Sequence, residues 1–253
     1  MASDNEAAIE AEARTRVGTT LRGKWVVDRL IDRGGMASVF AATHRNGNRV
    51  AVKVLHRHIS EQADLKDRFL REGYVANKVG HPSAVSIVDD DETEDGAVFL
   101  VMELLEGESL EQRIKRTKTL SVVEALFAAD HVLDVLASAH DAGIIHRDIK
   151  PANVFITRDG RIKLLDFGLA RVREASFKAA ATRDGILMGT AAYMPPEQAQ
   201  GKSANIDHRA DQWAVGALLF TGLSGHFVHE ARNLVDRIAP VPDNPATVLG
   251  RWS

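Results

Sequence analysis

The hydrophobic pattern is mainly of β type before Glu106 and mainly helical after it, and that change bounds what the chain can fold into. Lys24 to Ile31, Ala37 to His44 and Asn48 to Leu55 are runs rich in Val, Ile and Phe, separated by turn residues at Arg33-Gly34-Gly35 and Asn46-Gly47-Asn48. That is the pattern of consecutive antiparallel hairpins. A charged amphipathic stretch follows from Glu61 to Val79, with Leu65, Phe69, Val75 and Val79 at the buried positions and a stop at Gly80-His81-Pro82, so the spacing predicts one helix. Two further β-type runs, Ser83 to Asp90 and Ala97 to Leu104, flank the acidic turn Glu92 to Gly96. The first hundred residues therefore read as a five-stranded sheet with a single helix. After Glu106-Gly107-Glu108 helical spacing takes over. Ser121 and Glu124 have the S-x-x-E form of a capping box, opening a long helix that ends at Ala142-Gly143. Two short β-type pieces, Val154 to Thr157 and Arg161 to Leu165, come next, and helical spacing resumes from Asp207 to Leu223 and more weakly from Glu230 to Ile238. Strands first and helices afterwards describe an α+β chain of two lobes.

Composition removes several functions. With 253 residues, 45% of them hydrophobic, the chain can fill one large core or two smaller ones. Its 32 basic and 35 acidic residues leave a net charge of −3, which argues against a nucleic-acid partner held by bulk charge. There is no cysteine, so disulfides, thiol catalysis and cysteine-ligated metals are excluded. No apolar run approaches the roughly 18 residues of a membrane span, and the acidic, Ala-rich opening from Met1 to Arg16 is not a targeting signal. A cytoplasmic location is expected, with that opening read as a short solvated helix or, in preference, a disordered tail without a chemical role. No internal repeat is present.

The stretch His146-Arg147-Asp148-Ile149-Lys150-Pro151-Ala152-Asn153 gathers an acid, two cations, an imidazole and a carboxamide between a helix and a strand. Loops on a rigid scaffold are where catalytic groups tend to sit. Thirteen residues later Asp166-Phe167-Gly168 places an acid at a strand end beside a glycine that permits an unusual turn. Asp148, Asn153 and Asp166 are hard oxygen donors of the kind that suit Mg²⁺ shared with phosphates. The polar, weakly periodic stretch from Asp166 to Met194 is longer than ordinary connections, which marks it as functional or mobile.

In order along the chain, Val50-Ala51-Val52-Lys53, Glu72, His146-Arg147-Asp148 with Lys150 and Asn153, Asp166-Phe167-Gly168 and Pro195-Pro196-Glu197 resemble the signature set of the protein kinases, specifically the bacterial Ser/Thr kinases of eukaryotic type. The resemblance covers Lys24 to about Ile238. It implies a bilobal fold, with a tail over 1–23, a small lobe over 24–105 and a larger lobe over 106–253, and an activity that moves the γ-phosphoryl of ATP to protein Ser/Thr hydroxyls. Lys53 would bind the α- and β-phosphates and be held by Glu72; Asp148 would orient the substrate hydroxyl and take its proton; Lys150 would neutralise γ-phosphate charge; Asn153 and Asp166 would hold Mg²⁺. Gly34 and Gly35 would cover the phosphates. Met102 would be the gatekeeper of the hinge, the backbones of Glu103 and Leu105 would bond adenine, and Val39, Ala51 and Phe155 would form apolar walls. His146 would be a packed support. Arg147 would bind an activation-loop phosphate, with Thr182 and Ser176 as the hydroxyls for autophosphorylation, and Thr190 would contact Asp148 and Lys150 in the substrate loop.

Two departures qualify the resemblance. Asp32-Arg33-Gly34-Gly35-Met36-Ala37 keeps only the central glycine of G-x-G-x-x-G. An inward Asp32 would oppose the phosphates, a solvent-facing one would cost little, and weakened ATP binding is expected. The larger lobe also reads as shortened after about Ile238, where Pro240, Pro242 and Pro245 break any helix. The alternative to an active kinase is thus a catalytically impaired kinase fold acting as a binding module. Small-molecule kinases of related fold are disfavoured by Lys150-Pro151 and the Thr190 to Glu197 loop.

Overall fold

The computed structural model describes residues 10–167, 192–199 and 206–228, apart from the side chains of Glu72 and Ala199. Residues 10–16 form helix α1. The strands are β1 (Thr20–Leu21), β2 (Trp25–Arg33), β3 (Ala37–His44), β4 (Arg49–Leu55), β5 (Ile87–Glu92) and β6 (Val98–Glu103), paired antiparallel in the order β1-β2-β3-β4-β6-β5. The sheet has six strands instead of the expected five. The addition is the two-residue edge strand β1, too short to show alternation in the sequence.

Cross-strand register sorts the side chains onto two faces, because opposite residues share a face and alternate residues change it. Val39, Lys53 and Leu100 lie opposite one another, as do Ala41, Ala51 and Met102. This face packs on α2 (Arg57–Ser60) and α3 (Ala63–Gly73) through Leu55, Ile59, Leu65, Phe69 and Leu100, while Ala76 and Val79 of the following α4 (Val75–Val79) join a separate core with Leu136 and Leu164. The single helix expected over Glu61 to Val79 is divided between α3 and α4. Gly73 sits where α3 meets the sheet, and a Cβ there would stand 2.5 Å from Leu100 Cδ1, so the close approach needs glycine. Beyond it, Asn77 bonds the Ile87 backbone in both directions, at 2.7 and 2.9 Å, and anchors α4 to β5. Gly80 ends α4 at φ 66°, the stop that the sequence announces.

The other face of the sheet carries Trp25, Val27, Phe40, Val52, Phe99 and Val101, and Ala13 of α1 joins that cluster. Arg16 is buried and donates to both carboxylate oxygens of Asp95, at 3.2 and 2.8 Å. From residue 10 onward the opening segment is therefore a packed helix, which corrects its reading as a solvated helix or disordered tail. Its anchor lies 79 residues away in sequence and has no local signature.

After Glu106 come β7 (Gly107–Ser109), α5 (Leu110–Thr117), α6 (Val122–Asp141), β8 (Val154–Thr157), β9 (Ile162–Leu164), the single turn α7 (Pro196–Ala199) and α8 (Arg209–Ser224). Both α5 and α6 open with a complete capping box, Ser109 with Gln112 and Ser121 with Glu124. Against α6 pack α8 and β9, and the core between them includes Val132, Leu136, Ile149, Leu164, Phe167 and Leu218. The small sheet β7-β8-β9 thus sits on a helical base, and Lys163 in β9 and Asp166 after it reach Glu103 and Lys53 of the six-stranded sheet.

Candidate functional site

The loop from His146 to Asn153 is built from below. Asp211 on α8 is fully buried and accepts from the backbone N–H of His146 at 2.9 Å and of Arg147 at 2.7 Å, and it also meets His140 Nε2 at 2.8 Å. A buried carboxylate that loses water must be repaid by donors, and here these donors are the loop itself. Arg147 is held at φ +63°, a left-handed conformation costly for a side-chain-bearing residue. Its carbonyl accepts from Gln198 Nε2 at 2.9 Å, which ties α7 to the loop. His146 is buried, bonds the Leu165 carbonyl through Nε2 at 2.9 Å, and packs edge-on against Phe167 at 4.7 Å. Those contacts are those of a support.

Above this base Asp148, itself buried, has its carboxylate bonded by Asn153 Nδ2 at 2.8 Å and approached by Lys150 Nζ at 3.2 Å. The Asn153 amide also donates to the Asp148 carbonyl at 2.7 Å. One short loop thus fixes an acid, a cation and an amide in contact. The turn Pro151–Asn153 then leads into β8, where Phe155 is half-buried opposite Lys163.

Asp166 follows β9 at φ +60°, a second left-handed non-glycine residue, and its carboxylate pairs with the ammonium of buried Lys53. Burial alone would raise the Asp166 carboxyl, yet Lys53, by charge and by hydrogen bond, and then Lys150 hold it below the usual carboxylate range. Burial lowers the Lys150 ammonium, while Asp166 and Glu111 oppose that change. The expected partner of Lys53, Glu72, lies in α3, but its side chain is outside the described residues.

The apolar and hinge positions fall as the register requires. Val39 and Ala51 share the Lys53 face, and Met102 lies opposite Ala51. Beyond Glu103 the chain leaves the strand, so Leu104 and Leu105 stand outside ladder pairing. Gly34 and Gly35 are exposed in the β2–β3 turn, which Gly34 N–H closes on the Ala37 carbonyl at 2.9 Å. Asp32 is exposed too, its carboxylate accepts from the Arg33 backbone N–H at 2.8 Å, and the register sets it opposite Val39, on the Lys53 side of the sheet. Thr182, Ser176 and Thr190, with the whole of 168–191 and everything after 228, lie outside the described residues.

The donors suit a hard cation. Because Asn153 turns its Nδ2 to Asp148, its carbonyl oxygen is left on the other branch, and Asp166 is kept ionised. Among the described residues there is no group of three or more His, Cys, Asp or Glu side chains able to hold a metal alone. An ion here would complete its shell with phosphate and water oxygens, as Mg²⁺ does.

Sequence reasoning missed four residues that shape this site. His140 reads as an ordinary basic residue in the last turn of α6, Gln198 as surface, and Gly73 as a weak point in a helix. Lys163, alternating with Ile162 and Leu164, reads as the solvent side of a strand. Their partners are distant in sequence, and only the buried neighbours of Lys163 gave any hint.

Comparison with known proteins agrees with this geometry. A family model described as the protein kinase domain matches residues 25–240. The chain is 37% identical over 225 residues to the serine/threonine-protein kinase pkn3 of Myxococcus xanthus, covering 87% of this chain and 41% of that protein. It is 40% identical over 215 residues to the serine/threonine-protein kinase PknA of Mycobacterium tuberculosis, covering 83% of this chain and 49% of PknA. The chain therefore spans less than half the length of these two relatives. A crystal structure of the PknI kinase domain of Mycobacterium tuberculosis superposes with a TM-score of 0.67 at 28% identity, covering 90% of this chain and 80% of that one. With the fold, the ordered motifs and these relatives in agreement, the chain belongs to the protein kinase family, among homologues that are bacterial Ser/Thr kinases.

Proposed function

We propose that the chain is an active Ser/Thr protein kinase that uses Mg²⁺-ATP, with the small lobe over 24–105 and the larger lobe from 106 onward closing on the nucleotide. The observation that carries this reading is the Asp148 carboxylate, buried and held by Asn153 Nδ2 at 2.8 Å with Lys150 Nζ at 3.2 Å. A carboxylate fixed in this way can orient a hydroxyl and receive its proton, while the neighbouring ammonium offsets charge on the phosphoryl group. In the reaction the hydroxyl oxygen bonds to the γ-phosphorus, the bond from that phosphorus to the β–γ bridging oxygen breaks, ADP leaves, and the hydroxyl proton passes to Asp148.

Lys53 would bind the α- and β-phosphates, with Glu72 as its helix partner, and Asn153 and Asp166 would hold Mg²⁺. The cation neutralises phosphate charge when bound. Gly34 and Gly35 cover the phosphates, Met102 limits the back of the cleft, the backbones of Glu103 and Leu105 read the adenine edge, and Val39, Ala51 and Phe155 enclose the ring. The protein partners are Ser/Thr substrates, among them the chain's own Thr182 and Ser176, with Thr190 contacting Asp148 and Lys150. No described helix is long and apolar enough to cross a membrane, and the cytoplasm is the proposed compartment.

The test is incubation of the protein with Mg²⁺ and γ-labelled ATP beside Asp148→Asn, followed by mass spectrometry of phosphopeptides. Label on Ser or Thr, lowered at least a hundredfold in the variant while Mg²⁺-ADP still binds, is the expected result. A folded protein that binds nucleotide without transferring label would instead be a binding module.

A further inference from the structure

The carboxylate of Glu103 is turned away from the ladder and accepts from Lys163 Nζ on both oxygens, at 2.8 and 2.7 Å. One of those oxygens also accepts from the Ser86 backbone N–H at 3.1 Å. The Lys163 side chain is 13% exposed and that of Glu103 29%, so water screens this pair less than a surface pair. The two residues belong to different lobes: Glu103 ends β6 of the six-stranded sheet, and Lys163 lies in β9, 60 positions later and three before Asp166.

The surrounding backbone extends the same connection. Leu164 N–H donates to the Ser83 carbonyl at 2.7 Å and Val85 N–H to the Leu164 carbonyl at 3.2 Å, while Glu103 N–H donates to the Ser86 carbonyl at 3.3 Å. Residues 83–86 are thus bonded to β9 at one end and to Glu103 at the other. Lys163 also stands directly opposite Phe155.

We infer that Lys163 is a positioning residue for the adenine end of the cleft: by gripping the Glu103 carboxylate it fixes the backbone that reads the base and the height of that backbone above Phe155. The inference rests on the proposed nucleotide site and adds the residue that sets its geometry. Lys163 touches neither the phosphates nor the acceptor hydroxyl in this scheme, so its loss weakens nucleotide binding and spares the transfer step.

Calorimetric titration with Mg²⁺-ADP, together with initial rates of phosphoryl transfer at varied ATP, tests it on Lys163→Met, Lys163→Arg, Glu103→Gln and the Lys163→Met/Glu103→Gln double variant. Lys163→Met is expected to raise the Kd for Mg²⁺-ADP and the KM for ATP about tenfold with kcat within about twofold, the loss of one charge-assisted pair. Arginine should recover most of the affinity, and the double variant should be no weaker than either single one. An unchanged Kd in Lys163→Met, additive losses in the double variant, or a lower melting temperature with unchanged Kd would each overturn the inference. If nucleotide binds but no variant transfers phosphate, the proposed activity fails while the binding data still decide the role of Lys163. If the unaltered protein binds no nucleotide, both fall.

Discussion

His56 offers a direct test of the small-lobe packing. It is 4% exposed, its Nε2 lies 3.3 Å from Ser38 Oγ, and its backbone N–H donates to the Met36 carbonyl at 2.8 Å, beneath the β2–β3 turn. Burial, reinforced by the nearby His58 and opposed by Glu12, lowers its pKa from 6.5 to about 4. Between those values the unfolded chain takes up a proton that the folded chain refuses, so stability is complete above pH 6.5 and falls as the pH drops toward 4. At about 1.4 kcal/mol per pH unit, acidifying from 7 to 5 should cost about 2 kcal/mol through this residue alone. Urea unfolding followed by circular dichroism at pH 7, 6 and 5 measures the loss, and His56→Gln supplies the reference. Glu124 and Asp159, with pKa values lowered to about 2, lose their contributions only as the pH falls further, and they do so in both proteins. A variant that shows the same slope as the unaltered protein between pH 7 and 5 would refute the argument.

The two carboxylate oxygens of Asp211 hold one loop amide each, Arg147 on Oδ1 and His146 on Oδ2, so Asp211→Asn keeps one acceptor and loses the other; a loss of about 2 kcal/mol in unfolding free energy is expected, and a phosphoryl-transfer rate that falls further than nucleotide affinity. Asp32→Gly removes an exposed carboxylate that lies opposite Val39 and should lower the KM for ATP by no more than about threefold, because water screens that charge from the phosphates; a tenfold gain would show that the charge is not screened. Gly73→Ala sets a methyl group against Leu100 and should cost about 1 to 3 kcal/mol of stability in thermal or urea unfolding, whereas an unchanged melting temperature would show that Leu100 yields freely.

The sequence made the long elements legible because their signals are local. Runs rich in Val, Ile and Phe between turn residues marked β2 to β4 and β6, the Ser121–Glu124 box marked the start of α6, and Gly80 marked the end of α4. What escaped was set by contacts between distant residues. β1 has two residues and takes its pairing from Trp25 and Val26. Helix α1 depends on Ala13 entering a cluster with Phe40 and Phe99, and on Arg16 meeting Asp95. The division of the long helix follows Gly73 and the Asn77 pairing with Ile87, which amphipathic spacing cannot reveal, since Leu65, Phe69 and Val79 are all apolar and buried although Val79 packs in a different cluster from the other two. In the candidate site the motifs named the groups suited to phosphate and metal, but not the residues that hold those groups in place.

That division has a physical cause. A group that must meet phosphate or a cation is restricted to a few residue types, so it leaves a motif. A group that sets the separation of two lobes needs only a complementary partner, so it leaves none. Here both kinds meet on one short segment: Lys163 joins Glu103 across 60 positions, and Asp166 joins Lys53 across 113. Between them Leu164 is buried and bonded to the 83–86 segment on one side and opposite Val154 on the other. A strand of three residues with fixed partners on each edge cannot slip by one position without turning Lys163 away from the hinge. The spacing from Lys163 to Asp166 therefore couples the Glu103 pair to the Lys53 pair, the adenine and phosphate ends of the proposed nucleotide site, and a change that moves one lysine pair must be absorbed by the other.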